Sequence, residues 1–482
     1  MARSIFAAAN APAVPAGTFE HAASGTKFAV SSNAGRVLQT SQWKDELIEQ
    51  PVAFVIGSGN HAFGFLMKTD GHIFQSPLSY YTKRRIWDVA PGFENNPHPD
   101  FSRPVSLECL WCHSDRPLPV PHTLNRYEPA VFSALAISCD RCHGSAEAHL
   151  KKPLPGSIVN PAKLSGAERD SVCEQCHLKG EARIPNPGKQ LSDFHAGERA
   201  EEVFTTYVAS RPDGREIKVV SHAEQLARSV CARQSAGKLW CGTCHNPHDK
   251  PTNNTTAYYR ARCLSCHAAT LERAHAAPGR DCVACHMPSQ QATDGGHTVF
   301  TNHRIAREPA KEEPADQAAS VATSIVAWRQ PADVGLQRRN LALAFAYVGK
   351  ERHAPDLLSR SYQMLTLLAR DFPDDPALLT ESGLLALGAH QSQQTLEPLE
   401  RVARLQPDSA EAQTNLAAAL IRLNRQPEAV DHLQKALALD PLLRTSVNLL
   451  ARLYQQQGEE AKANEVLANY RRAMGINISS GQ

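Results

Sequence analysis

The 482-residue chain lacks several features that would assign it to a familiar class. It has no uninterrupted apolar run of the roughly 20 residues that a membrane-spanning helix needs. Lysine and arginine number 51 against 49 aspartates and glutamates, so the net charge of +2 gives no electrostatic reason to expect nucleic-acid binding. The N-terminal apolar run from Ile5 to Ala9 is too short for a secretory signal peptide, so an export signal is not evident. We therefore expect the folded body to be soluble.

Cysteine is scarce outside one motif. Of the 13 cysteines, 12 occur in six copies of Cys-x-x-Cys-His, and only Cys231 is left over. This is the attachment motif of c-type haem, in which both thiols form thioethers to the porphyrin and the adjacent histidine is the proximal iron ligand. Zinc sites or disulfides would not need a histidine directly after every second cysteine. We predict six covalent haem c groups, held by Cys109, Cys112 and His113; Cys139, Cys142 and His143; Cys173, Cys176 and His177; Cys241, Cys244 and His245; Cys263, Cys266 and His267; and Cys282, Cys285 and His286.

The second axial ligand of each iron must come from elsewhere in the chain. Methionine is rare, with five in the whole sequence, whereas residues 1–303 contain twelve histidines outside the motifs. Bis-His ligation is therefore expected for most haems. Sequence context favours six of these histidines as distal ligands and places His21, His122 and His275 behind them. The favoured six are His61, His149, His222, His248, His297 and His303.

The cysteine pattern also bears on cellular location. Haem is attached to these motifs outside the bacterial cytoplasm, so we expect the protein to be periplasmic or extracellular. The unpaired Cys231 is interpreted as a buried, unreactive thiol. A thiolate iron ligand and an intermolecular disulfide are the alternatives.

Composition divides the chain into two regions. All cysteines precede residue 286, and a charged Ala/Pro-rich stretch follows from about residue 304. Alternating apolar segments near residues 27–39 and 63–74 predict hairpins, while residues 100–300 show the weak periodicity of chains that pack short helices and loops around porphyrins. The expected multidomain protein has a haem-cored cytochrome domain over 1–303, with a β-rich lobe at about 20–95. A linker at 304–332 and an all-α domain at 333–482 follow.

The C-terminal region repeats with a period of 34 residues. Pro373, Pro407 and Pro441 are evenly spaced at this interval, and small and large apolar residues recur between them. These positions resemble the tetratricopeptide repeat, with a generic antiparallel helical bundle as the alternative. Such solenoids present a groove that binds a peptide or a partner protein. The positions are Leu416, Ala417, Leu420, Ala429, Leu433 and Ala436 in one unit, and Leu450, Ala451, Tyr454, Gly458, Ala463 and Leu467 in the next.

The second motif continues as Cys-Asp-Arg-Cys-His-Gly-Ser-Ala-Glu-Ala-His, up to His149. This run resembles haem signatures of the multihaem cytochromes related to pentahaem nitrite reductase, octahaem hydroxylamine oxidoreductase and their tetrahaem electron carrier. The signatures around Cys241 and Cys282 are similar to others in that group, and the whole resembles bacterial multihaem cytochromes fused to tetratricopeptide repeats. Such relatives often carry a further motif near the start, so we expect an N-terminal segment to be missing here.

Three functions follow from this pattern. The leading hypothesis is electron transfer through six mostly bis-His haems, with redox partner proteins and a protein or peptide ligand in the repeat groove. The alternative is an oxidoreductase that acts on a small nitrogen or sulfur species at one open haem. Nitrite reductases of the resembling group typically have lysine as the proximal ligand of the catalytic haem, whereas all six motifs here end in histidine. A scaffold whose haems only stabilise the fold is the third hypothesis.

Overall fold

The computed structural model describes residues 4–33, 36–210, 217–249, 254–274, 281–306, 324–389 and 392–478. It divides into two compact units. We call Ser4–Leu135, Ile184–Gly188 and Pro331–Gln482 the lobe–repeat unit. Ala136–Arg183 and Lys189–Gln330 form the motif unit.

Short strands and helices alternate in the first two thirds of the chain, and helices dominate the rest. The strands are β1 (Ile5–Ala7), β2 (Gly17–His21), β3 (Thr26–Asn33), β4 (Arg36–Trp43), β5 (Glu46–Ile56), β6 (Phe63–Thr69), β7 (His72–Tyr81), β8 (Ile86–Val89), β9 (Arg103–Pro104), β10 (Asp115–Pro119), β11 (Tyr127–Ala134), β12 (Ala182–Pro185), β13 (Phe204–Ala209), β14 (Ser289–Gln291), β15 (Val299–Thr301), β16 (Ile325–Ala327) and β17 (Ile476–Ile478). The helices are α1 (Leu107–Trp111), α2 (Asp140–His143), α3 (Glu147–Lys151), α4 (Gly166–His177), α5 (His222–Ala227), α6 (Val230–Gln234), α7 (Cys241–Cys244), α8 (Thr255–Ala274), α9 (Cys282–His286), α10 (Val334–Glu351), α11 (Pro355–Leu368), α12 (Pro376–Gly388), α13 (Ser392–Leu405), α14 (Ala410–Arg422), α15 (Gln426–Leu439), α16 (Arg444–Gln456) and α17 (Glu460–Ala473).

The N-terminal lobe is an antiparallel sheet in which β2 to β8 follow one another in chain order. The turn between β6 and β7 has positive φ at both Asp70 and Gly71, as a two-residue type I′ turn requires. The long β5 pairs with β4 and β17 through its first half and with β6 and β1 through its second half. The predicted β-rich N-terminal region is therefore confirmed, and its strands extend beyond residues 20–95.

The C-terminal helices form four antiparallel pairs, from α10/α11 to α16/α17. The first helices of the last three pairs begin at Pro376, Ala410 and Arg444, which reproduces the 34-residue spacing. In the third pair, all six apolar positions that the repeat pattern singled out are at most 3% exposed. The predicted all-α repeat region is confirmed.

The repeats share a hydrophobic core with the sheet. Leu442, Val447, Tyr470 and Met474 from the last repeats lie in the same buried cluster as residues of β3 to β7. The buried His72 imidazole also contacts Asp440, with 3.0 Å between Nε2 and Oδ1. The structure thus groups the lobe with the repeats, whereas the sequence-based division grouped the lobe with the haem motifs, because no local pattern reports a core built from distant segments.

The motif unit consists mainly of helices and short strands. In it, β13 pairs with β16, which lies inside the predicted linker at 304–332. Residues 307–323 of that linker lie outside the described residues. Within the described parts of the chain, no helix is both long and apolar enough to span a membrane.

Candidate functional site

All six Cys-x-x-Cys-His motifs lie on or at the end of helical turns. The second, fourth and sixth motifs coincide with the one-turn helices α2, α7 and α9, and the third occupies the last turn of α4. The first overlaps the end of α1, and the fifth lies inside α8. A helical turn places residues i, i+3 and i+4 on one face, so both thiols and the imidazole of each motif can address one ligand. The first motif belongs to the lobe–repeat unit and the other five to the motif unit.

Two proximal histidines are already oriented by backbone carbonyls. The Nδ1 atom of His143 is 2.7 Å from the oxygen of Val159, and Nδ1 of His286 is 2.8 Å from the oxygen of Ala306. Because a carbonyl only accepts, each Nδ1 donates its hydrogen and each Nε2 is left as the metal-binding nitrogen. This is the second-sphere arrangement that metal-ligating histidines normally show.

Two of the favoured distal histidines lie beside proximal ones with nearly parallel rings. The ring centroids of His143 and His248 are 5.8 Å apart with 12° between their planes, and those of His245 and His303 are 6.1 Å apart with 30°. Two imidazoles that share one iron have centroids about 6 Å apart, since each metal–nitrogen bond is roughly 2.0 Å long. The sequence proposed His248 and His303 as ligands without partners, and the structure places each of them beside a particular proximal histidine.

A third pairing is less regular. The ring centroid of His222 lies 5.3 Å from that of the proximal His177, and the two rings are perpendicular. It lies 4.8 Å from the ring centroid of His303. Burial lowers the pKa of His177 and His303, and the neighbouring His245 lowers both further. Burial also lowers the pKa of His245 itself. The neutral imidazole, which is the form that binds iron, is therefore favoured at His177, His245 and His303.

The other favoured distal histidines are not placed against a proximal one by a described ring contact. His149 binds Ser157 through Nδ1 and lines a cavity of about 490 Å³ whose other walls are largely apolar. His297 is half-buried in the turn between β14 and β15. His61 lies in the lobe–repeat unit, where burial and Lys83 lower its pKa.

The second-rank histidines have other surroundings. Both ring nitrogens of His21 are within hydrogen-bonding distance of oxygens, on Ser24 and Glu94. The Nδ1 atom of His122 is 2.8 Å from Oδ1 of Asp408. His275 lies outside the described residues.

The motifs of the motif unit lie beside one another in chain order. The Arg141 guanidinium of the second motif reaches Sγ of Cys176 in the third at 3.9 Å. The Cys173 thiol of the third motif is hydrogen-bonded to Cys241 of the fourth, which raises the pKa of Cys173 and lowers that of Cys241. The second, third and fourth motifs are therefore immediate neighbours.

The sequence of neighbours continues through the last three motifs. Burial and the nearby thiols, Cys266 of the fifth motif among them, raise the pKa of Cys244. Burial raises the pKa of Cys263 to about 11, and a hydrogen bond with Cys282 of the sixth motif contributes to that rise. The unpaired Cys231 is half-buried on α6 and adds to the pKa rise of both Cys244 and Cys263, so it lies beside the fourth and fifth motifs.

The intervening residues of the third motif anchor it, which sequence reasoning missed. The Glu174 carboxylate accepts from both Arg329 Nη atoms and, at 3.0 Å, from the Trp328 indole. The Gln175 amide donates to the carbonyl of Arg141 in the second motif at 2.9 Å. Both side chains are buried, which is unusual for Glu and Gln and could not be deduced from an isolated Cys-x-x-Cys-His.

These residues fit covalent haem. Paired cysteine thiols, imidazoles with a fixed donor nitrogen, and second imidazoles at a suitable distance are the groups that c-type ligation uses. Among the described residues there is no cluster of three or more His, Cys, Asp or Glu side chains that could hold a bare metal ion. A haem iron takes four of its ligands from the porphyrin and needs only one or two side chains.

Comparisons with known proteins concern the helical repeats. Residues 410–443, which include α14 and α15, match the family model of the tetratricopeptide repeat. The C-terminal region therefore contains tetratricopeptide repeats, a class that generally mediates contacts between proteins. No curated protein sequence matches the chain.

Solved structures of MamA are similar to part of the chain. MamA MSR-1 has 23% identity and a TM-score of 0.26, over 30% of this chain and 78% of that one. MamA, from residue 41 to its end, of Desulfovibrio magneticus RS-1 has 18% identity and a TM-score of 0.26, over 28% of this chain and 77% of that one. TM-scores this low carry no weight for the function of the chain.

Proposed function

We propose that this protein is an extracytoplasmic multihaem cytochrome c. It transfers electrons through six covalently bound, mostly bis-His haems, and its repeats dock a redox partner or organise an assembly. The observation that carries the proposal is the proximity of the second to sixth motifs within the motif unit. Attachment sites this close imply neighbouring porphyrins, and close porphyrins are what an electron relay needs.

Each bound haem would supply a one-electron iron centre. The protein's part is to fix the ligands and tune the iron. The carbonyls of Val159 and Ala306 hold the imidazoles of His143 and His286 in the tautomer that presents Nε2. His248 and His303 would complete the coordination of two haems from the opposite side. A filled distal position keeps small substrates from the iron and restricts the site to electron transfer.

The repeats offer a polar face for a partner. On α16, Thr445, Asn448, Arg452 and Gln455 are all exposed, and their spacing of three and four residues places them on one side of the helix. The first helices of tetratricopeptide repeats line the groove of the solenoid. We propose that a partner protein docks on this face.

Spectroscopy of the oxidised holoprotein tests the proposal. Low-spin ferric signals should account for all iron, and the reduced protein should be reoxidised only slowly by nitrite, hydroxylamine or tetrathionate. A stoichiometric high-spin haem together with rapid turnover of one of these species would replace electron relay by the oxidoreductase alternative. Absence of covalent haem would remove both.

A further inference from the structure

The proximal histidine of the fourth motif has a different hydrogen-bond partner from those of the second and sixth. The Nδ1 atom of His245 lies 3.4 Å from the phenol oxygen of Tyr259, and the two rings meet edge to face with centroids 5.7 Å apart. His143 and His286 instead donate to backbone carbonyls at 2.7 and 2.8 Å. The contact at His245 is thus longer and involves a neutral hydroxyl.

The direction of this hydrogen bond is fixed by ligation. An imidazole that binds iron through Nε2 carries its hydrogen on Nδ1, so the phenol oxygen of Tyr259 has to accept. A carbonyl oxygen is a better acceptor than a phenol, and a shorter bond is stronger. The His245 imidazole is therefore polarised less by its partner than the imidazoles of His143 and His286.

Tyr259 is held in place by its own helix. It lies on α8, four residues before Cys263 of the fifth motif, and its ring meets that of Tyr258 perpendicularly at 5.1 Å. Tyr258 in turn lies under the Arg262 guanidinium, 5.0 Å from the ring centre. Helix α8 thus carries both the fifth motif and Tyr259, the residue that contacts the proximal His245 of the fourth motif.

Proximal hydrogen bonding sets how much electron density the imidazole gives to iron, and a stronger bond stabilises the ferric state. We propose that Tyr259 is a positioning residue that sets the reduction potential of the haem at His245. Because the phenol oxygen of Tyr259 is a weak acceptor, this potential is higher than those of the haems at His143 and His286. The inference rests on the proposed haem function. It makes the haem of the fourth site easier to reduce than those of the second and sixth sites.

The test compares Tyr259→Phe with Tyr258→Phe in the six-haem protein, by redox titration followed through visible absorption and the low-spin EPR signals. Tyr259→Phe removes the acceptor and keeps the ring, so one haem should become roughly threefold easier to reduce, about 28 mV at 59 mV per tenfold change. Tyr258→Phe should leave every potential in place. Tyr259→Gln, which offers an amide carbonyl, should shift the same haem in the opposite direction.

Intact mass separates this inference from the proposal beneath it. If all variants carry six haems and no single potential moves in Tyr259→Phe, or if Tyr258→Phe moves it equally, Tyr259 has no tuning role. If the wild type carries no covalent haem, the proposed function fails first.

Discussion

A buried ion pair ties the first repeat helix to the second pair of helices. Arg339 on α10 binds Asp375 through two contacts, 2.8 Å from Nε to Oδ2 and 3.0 Å from Nη2 to Oδ1, and both side chains are at most 4% exposed. Asp375 also accepts from the backbone of Ala377 and Leu378 and so caps α12. The same guanidinium donates to the carbonyl of Pro185. Replacing Arg339 would therefore leave a carboxylate buried without its counter-charge.

The neighbouring aspartate provides a matched control. Arg401 binds Asp374 through the same two nitrogens, with Nε 3.0 Å and Nη2 2.8 Å from Oδ1, but these side chains are 36% and 64% exposed. Arg339→Ala should lower the free energy of unfolding by about 3–5 kcal/mol, the usual cost of stranding a buried charge. Arg401→Ala should lower it by about 0–1 kcal/mol, because water screens and re-solvates an exposed pair.

Urea unfolding followed by far-ultraviolet circular dichroism measures both variants, since the repeats contribute much of the described helix. The urea concentration at the unfolding midpoint should fall clearly for Arg339→Ala and hardly at all for Arg401→Ala. The slope of the free energy of unfolding against urea concentration should stay unchanged in both variants. Equal losses in the two variants would refute the reasoning that burial, and not pairing as such, determines the cost.

Three further outcomes are expected. His248→Ala should convert one haem, that of the second motif, to a high-spin ferric form. The control His195→Ala, at a side chain that is 63% exposed, should change no spectroscopic signal. Unchanged spectra in both variants would show that His248 is not a ligand. Burial and Lys435 lower the pKa of His432 from 6.5, so the unfolded state binds the extra proton and stability should decline as pH falls below about 6.5. His432→Gln should flatten that decline in thermal unfolding, and an identical slope would contradict the assignment. A proteolytic nick within 304–332 should leave the fragments associated in native gel filtration, because the repeats share a hydrophobic core with the lobe. Release of a free helical fragment would contradict that shared core.

Local patterns carried the sequence-based predictions that succeeded. The Asp70-Gly71 turn is encoded in one β-hairpin, and the 34-residue spacing is encoded in successive helix pairs. Both can be recognised without knowledge of the rest of the chain. His248 is three residues beyond His245, yet it meets His143, more than a hundred residues earlier. Sequence context could select such a histidine as a ligand but could not assign it to a haem.

The association of lobe and repeats had no local signal. The His72–Asp440 contact joins residues 368 positions apart, and the repeat that contains Asp440 gives no indication of His72 as its partner. The anchoring of the third motif by Glu174 likewise depends on Arg329, which is 155 residues away. Long-range polar contacts of this kind arise from the final packing. The spacing of apolar residues, which repeats every two residues in strands and every 3.6 in helices, carries no information about them.

The haem content of the purified protein tests the central claim most directly. Intact mass after extraction with acid and organic solvent removes non-covalent haem and retains thioether-linked groups. The account predicts six haem additions on a single chain, one for each of the motifs that begin at Cys109, Cys139, Cys173, Cys241, Cys263 and Cys282. A protein that retains fewer than five would contradict it.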